Sequence, residues 1–287
     1  VWVSFKKITK MKKIILIFVI LFFNSTYSQE NSIFWKIQKD SIISYIIGTN
    51  HIFDKTFIEK DNTIISALDK SSIVFLENIE SKDSIINSRS NFNYIDILSN
   101  KERKILKEII DSNLNSNKLT NRELHLKVQS YWDKKSCLKD QFCSDKISMD
   151  GFIKNYSQKN NKKVIGLEKI SETLNFIETE YLKNADESKI VTSLRYKLNE
   201  IDKGSISKNC TYNELYKEKK CNYNFSIEVF DSLLNTRNNN WFIKIQKALE
   251  SNEPVFIAVG LAHLDFKNGL ISMLQEKGYV VTSINLW

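Results

Sequence analysis

Histidine occurs only three times in 287 residues. Two of the three close the same local pattern. The apolar run Tyr45-Ile46-Ile47 leads into Gly48-x-x-His51, and Val255–Val259 leads into Gly260-x-x-His263. Two further apolar runs end in a carboxylate, Ser72–Leu76 at Glu77 and Lys163–Leu167 at Glu168. Imidazole and carboxylate together are good ligands for zinc, manganese or cobalt. Two histidines and one glutamate leave an open position where a water can become hydroxide. A second carboxylate can then act as general base or orient a ligand histidine.

Each residue also has a plainer reading. Either histidine alone could cap a helix or sit satisfied in a core, and acids at strand ends often cap the helix that follows. Arg237, which opens the run Arg237-Asn238-Asn239-Asn240-Trp241, could face the site or simply pair with an acid. His125 lies in a polar helical stretch and reads as a surface residue. Asp265, two residues after His263, reads as a solvated loop aspartate.

The elements that must position these residues follow from periodicity. Residues 33–37 and 42–47 pattern as a hairpin around Lys39-Asp40. Short apolar strands are expected over 72–77, 163–167, 255–259 and 279–284. Helical periodicity marks about 58–70, 101–111, 121–132, 149–159, 171–181, 184–201, 237–250 and 268–277. The βα alternation at both ends predicts an α/β fold, a central mostly parallel sheet flanked by helices. In such a sheet the carboxyl ends of parallel strands share one edge, which is where open α/β folds place their chemistry. The Asn-, Ser- and Lys-rich stretch of about 80–160 reads as a largely helical insertion, cap or lid.

The start of the chain patterns as an export signal. From Met11, two lysines precede an apolar stretch over Ile14–Phe23, followed by small and polar residues. This reads as a secretory signal with expected cleavage between Ser28 and Gln29, an uncleaved membrane anchor being the competing reading, and residues 1–10 read as upstream of the start. The expectation is residues 29–287 as a single domain in the periplasm or secreted, with no stable membrane span after cleavage. Residues 1–28 hold five lysines and no acid, so 42 Lys and Arg less five leaves 37 against 34 Asp and Glu, a net of +3 rather than +8. That balance, without a basic stripe, removes the main support for nucleic-acid binding. Four cysteines in an exported chain predict disulfides. The local pairs Cys137–Cys143 and Cys210–Cys221 are expected, with thiolate zinc binding and free buried thiols as the competing readings.

Taken in order, these motifs resemble the TraB/PrgY/GumN family, whose animal relatives include the TIKI membrane proteases. The resemblance covers nearly the whole chain after the signal. It rests on Tyr45–His51, on the strand Ile73–Glu77, on Gly166-Leu167-Glu168 before a helix, on Arg237-Asn238 with Trp241, and on Val259–Leu264 with Gly269-Leu270 and Gly278-Tyr279-Val280. The sequence departs from the family pattern at Lys169, where Thr is usual, and at Asn50, where an apolar residue is common. The resemblance implies a metal-dependent protease using manganese or cobalt. It implies His51, His263 and Glu77 as metal residues, with Glu168 and Arg237 in supporting roles at the site. The resulting expectation is an exported metal-dependent hydrolase of the peptidase class acting on a peptide or protein. The alternative is a non-catalytic protein that binds or sequesters a peptide or signal in the same cleft.

Overall fold

The computed structural model describes residues 32–92, 97–110, 114–138, 147–207, 210–221, 234–264 and 269–286. The expected signal segment, Asp265 and Cys143 lie outside the described residues. No described helix is long and apolar enough to cross a membrane.

Strands β1 (Phe34–Lys39) and β2 (Ile42–Thr49) form the expected antiparallel hairpin, with Lys39 opposite Ile42. Its two-residue turn places Asp40 at φ 53°, a left-handed backbone that aspartate tolerates. Helix α1 (Asn62–Lys70) begins later than the periodicity suggests, because Asp61 caps it by accepting from the Thr63 and Ile64 N–H groups. Strand β3 (Ile73–Leu76) follows. Helices α2 (Lys82–Asn87), α3 (Asn100–Ile109), α4 (Asn121–Leu138) and α5 (Met149–Lys159) fill the next stretch. Strand β4 (Lys163–Gly166) precedes α6 (Ile170–Thr179), α7 (Glu187–Asp202), α8 (Cys210–Lys217) and α9 (Asn235–Leu249). Strand β5 (Val255–Gly260), a 3-10 turn over Leu261–Leu264, helix α10 (Leu270–Glu276) and strand β6 (Val280–Ser283) complete the chain.

The six strands form one sheet in the order β4-β3-β5-β2-β1-β6. Neighbours are parallel from β4 to β2, and β1 is antiparallel to both its neighbours. The α/β reading therefore stands, and the mostly parallel sheet with it. The central strands β3 and β5 are buried on both faces, which is why they read as unbroken apolar runs rather than alternating ones. The main core packs on this sheet and includes Trp35, Phe256 and Trp241. A second core, around Leu106, Leu124, Leu174, Leu194 and Leu198, holds α2, α3, α4, α6 and α7 together. Helix α5 belongs with the sheet, since its Met149 and Ile153 are in the main core.

Two expectations are corrected here. The disulfide joins Cys137 to Cys210, and Cys221 is buried outside that bond. Cys210 is the first residue of α8, and Cys221 lies beyond the far end of that helix. Cys137 sits instead on the last turn of α4, against which the incoming chain is docked by the Ser207 N–H donating to Ser136 Oγ at 2.8 Å. His125 is also not a surface residue. It is 3% exposed, with Nδ1 2.9 Å from Tyr181 Oη and Nε2 3.0 Å from Ser193 Oγ. Helix α4 lies inside the helical layer, packed by α3, α6 and α7, so its polar-looking face points inward.

Candidate functional site

Four adjacent parallel strands deliver the four candidate side chains to one sheet edge. Read across the sheet from β4, they are Glu168, Glu77, His263 and His51. The edge is level: Leu76 pairs with both Gly166 and Ala258, and Thr49 pairs with Gly260.

The two glycines of the repeated motif make this convergence possible, each for a different reason. A Cβ on Gly48 would meet the Leu261 Cα at 2.9 Å, so the first motif packs against the backbone of the second. A Cβ on Gly260 would stand 3.0 Å from Glu77 Oε1, 3.7 Å from His263 Cδ2 and 4.0 Å from His51 Nε2. The space above Gly260 is thus the point on which both imidazoles and the carboxylate converge, and any side chain there would fill it.

Both histidines have Nδ1 engaged on the side away from this point. Asp150, on α5, takes His51 Nδ1 at 3.2 Å and accepts from Thr49 Oγ1 at 2.8 Å. Asn238, on α9, places Oδ1 2.6 Å from His263 Nδ1. Since an amide oxygen only accepts, His263 carries its proton on Nδ1 and turns the Nε2 lone pair into the cleft. His263 is buried, stacked on Trp241 with ring centroids 4.3 Å apart. Burial, helped by the charges of Arg237 and His51 and opposed by Glu77, lowers its pKa to about 3, so the ring is neutral. The His51 side chain is 66% exposed. Its hydrogen bond to Asp150 raises its pKa above the ordinary value.

Arg237 stands at the centre of the acid groups. Its Nε and Nη2 donate to Glu168 Oε2 and Oε1 at 3.0 and 2.8 Å, and Nη2 also reaches Glu77 Oε2 at 2.9 Å. Nη1 donates to His263 Nε2 at 3.2 Å. Its guanidinium lies over the Trp241 ring, 4.6 Å from the centroid. Burial alone would push Glu77 up. Arg237, both histidines and the Gly260 N–H, which donates to Oε1 at 2.7 Å, outweigh it and hold the pKa to about 2. Glu168 is more heavily committed. Besides Arg237 it accepts from Trp241 Nε1 at 3.0 Å and from the Thr173 hydroxyl.

The first histidine motif is held from above by α8. Tyr216 Oη donates to the Gly48 carbonyl at 2.6 Å, and Asn213 Oδ1 accepts from Asn50 Nδ2 at 3.0 Å. The same Asn213 reaches Cys137 Sγ at 3.6 Å, so the disulfide and the His51 loop share one contact.

Sequence reading placed His51, His263, Glu77, Glu168 and Arg237 at a site, and the fold brings all five together. It missed Asp150, Asn238 and Tyr216. Asn238 stood one residue after Arg237, and an i, i+3 step to Trp241 was the available signal. Asp150 and Tyr216 had none, because only tertiary packing carries them to β2.

The donor chemistry fits a divalent cation. Two Nε2 atoms with anchored Nδ1 groups converge beside an ionised carboxylate, the arrangement in which outer partners fix ligand histidines. Among the described residues, however, no group of three His, Cys, Asp or Glu stands in metal-holding geometry. Arg237 Nη1 donates instead to the His263 Nε2 lone pair, a contact that an ion held there would replace.

The family model described as the TraB/PrgY/gumN family matches residues 33–283. No curated protein and no solved structure matches the chain.

Proposed function

The chain belongs to the TraB/PrgY/gumN family, and from that footing we propose that it is an exported metal-dependent hydrolase of the peptidase class, working in the periplasm or outside the cell. His51, His263 and Glu77 would hold one manganese, cobalt or zinc ion. The observation that supports this is the pair of oriented imidazoles: Asp150 and Asn238 each engage Nδ1, His51 Nε2 lies 4.0 Å from a Cβ placed on Gly260, and His263 Nε2 lies 3.9 Å from Glu77 Oε1. A bound divalent cation supplies Lewis acidity, polarising a carbonyl and acidifying water.

The protein's own groups divide the remaining work. With a pKa of about 2, Glu77 stays ionised and suits an anionic ligand better than a general base. Glu168 accepts four hydrogen bonds and acts by fixing Arg237 and Trp241. Arg237 spends four of its five N–H donors on these partners and keeps one on Nη1. That donor suits an oxygen on which negative charge develops.

Metal content tests the reading. Mature protein purified without chelator should carry about one equivalent of metal, and a His51→Ala variant should lose it; the exposed ring makes this substitution easy on the fold. One observation favours the alternative, a peptide- or signal-binding protein without turnover: the Arg237 guanidinium balances the charge of Glu77. Absence of metal from both proteins after loading with each ion would select that alternative.

A further inference from the structure

A groove of about 420 Å³ opens between α6 and α9. From α9 it is lined by Arg237, Asn240, Trp241 and Lys244, spaced i, i+3, i+4, i+7, which is one face of the helix. From the α6 side it is lined by Ser171, Glu172, Asn175 and Phe176. Facing helices that pack interlock side chains at 8–10 Å. These two faces are mixed rather than apolar, and a cavity separates them.

The inner end of the groove is the candidate site itself. Arg237, Glu168 and Trp241 belong to both, and the guanidinium lies between Phe176 and Trp241, 5.9 and 4.6 Å from their ring centroids. The walls hold hydrogen-bonding capacity that the fold does not use. Asn175 and Asn240 are exposed, and neither carboxamide bonds to any described residue. Lys244 gives one N–H to the Leu167 carbonyl at 2.6 Å and has no carboxylate partner among the described residues. Arg237 keeps one N–H. A carboxamide offers one donor face and one acceptor face, the same pair that an extended peptide displays along its backbone. Half-buried Phe176 adds a ring against which an apolar side chain can lie.

We propose that this groove seats the peptide segment on one side of the bond to be cut. Its backbone lies between Asn175 and Asn240, an apolar side chain rests on Phe176, and a carbonyl reaches the free Arg237 N–H. Asn175, Phe176 and Asn240 are then specificity-determining residues. The ligand class, though not the groove, rests on the peptidase reading.

The test measures binding apart from turnover. Fluorescein-labelled hexapeptides with a central Leu or a central Glu are titrated by anisotropy into chelator-treated protein. Saturable binding of the Leu peptide is expected. It should weaken about tenfold in the Asn175→Ala/Asn240→Ala double variant, the loss of two ordinary hydrogen bonds. An Ile243→Ser control changes a residue that is 70% exposed and outside the groove lining, and should bind as the wild type does. The central-Glu peptide should bind more weakly than the Leu peptide. No peptide binding, equal binding by the double variant, or saturable binding of an oligosaccharide probe in place of peptides would overturn the proposal. Peptide binding that follows this pattern without cleavage after metal loading would support the groove and reject only the hydrolase.

Discussion

Arg237 and Glu168 meet as a two-point fork, Nε to Oε2 at 3.0 Å and Nη2 to Oε1 at 2.8 Å. Both are largely buried, and the same guanidinium also neutralises Glu77. Removing it strands two carboxylates in a dry cleft. Arg237→Ala should therefore destabilise the fold by about 3–5 kcal/mol in urea unfolding. Arg237→Lys keeps the charge but not the fork and should fall between. A loss under about 1 kcal/mol in Arg237→Ala would mean that water already solvates both acids.

Asp150 acts on the site only through His51. Asp150→Asn keeps the shape but weakens the grip on Nδ1. Calorimetric titration with Mn, Co and Zn should show affinity falling about 10- to 100-fold with the melting temperature little changed. Unchanged affinity would remove Asp150 from the site.

The two motif glycines should separate stability from ligation. Gly48→Ala drives a methyl into the Leu261 backbone and should cost about 1–3 kcal/mol. Gly260→Ala meets only the tip of Glu77 at under 3.4 Å. It should leave the melting temperature nearly intact and weaken metal binding. Thermal melts and metal titrations on the pair decide this, and the reverse pattern would refute it.

His125 gives the fold an acid-sensitive point. Burial first, then the charge of Lys197, lowers its pKa from 6.5 to about 4. Between those values the unfolded chain takes up a proton that the folded ring refuses, so stability falls as pH falls through that window and levels off below it. Allowing for residual hydration, about 2 kcal/mol should be lost between pH 7 and pH 4. Denaturant melts of a His125→Gln variant should lack this component of the pH profile.

Reduction of Cys137–Cys210 should cost roughly 2–5 kcal/mol, since the bond closes a loop with a sequence separation of 73. Tyr216 and Asn213 ride on the helix that this bond anchors. Hydrogen exchange at Thr49–His51 should therefore rise on reduction, ahead of exchange in β5. Uniform loosening throughout the sheet would argue against that coupling.

Much of the scaffold was legible because burial writes directly onto the chain. Doubly covered β3 and β5 had to be apolar throughout, and the hairpin turn at Asp40 had to be polar. The five site residues were visible because each follows an apolar run or opens a helix. The cysteine pairing and the burial of His125 were not visible, because both depend on how α4 is oriented among α3, α6, α7 and α8. A helix with this many charged and polar residues gives no hint that it will be enclosed on several sides. Asp150 was hidden for a related reason: nothing local distinguishes it from any acid in the first turn of a helix.

Strand β5 lies between β3 and β2, yet it follows both by more than 170 residues. During synthesis the earlier strands emerge with an empty slot at the centre of their sheet. Neither Gly260 nor His263 is yet present to join Glu77 and His51. The wait is slow by nature, since contacts distant in sequence form late. A site built this way is incomplete on a nascent or truncated chain, and is assembled only when the penultimate strand slides into place.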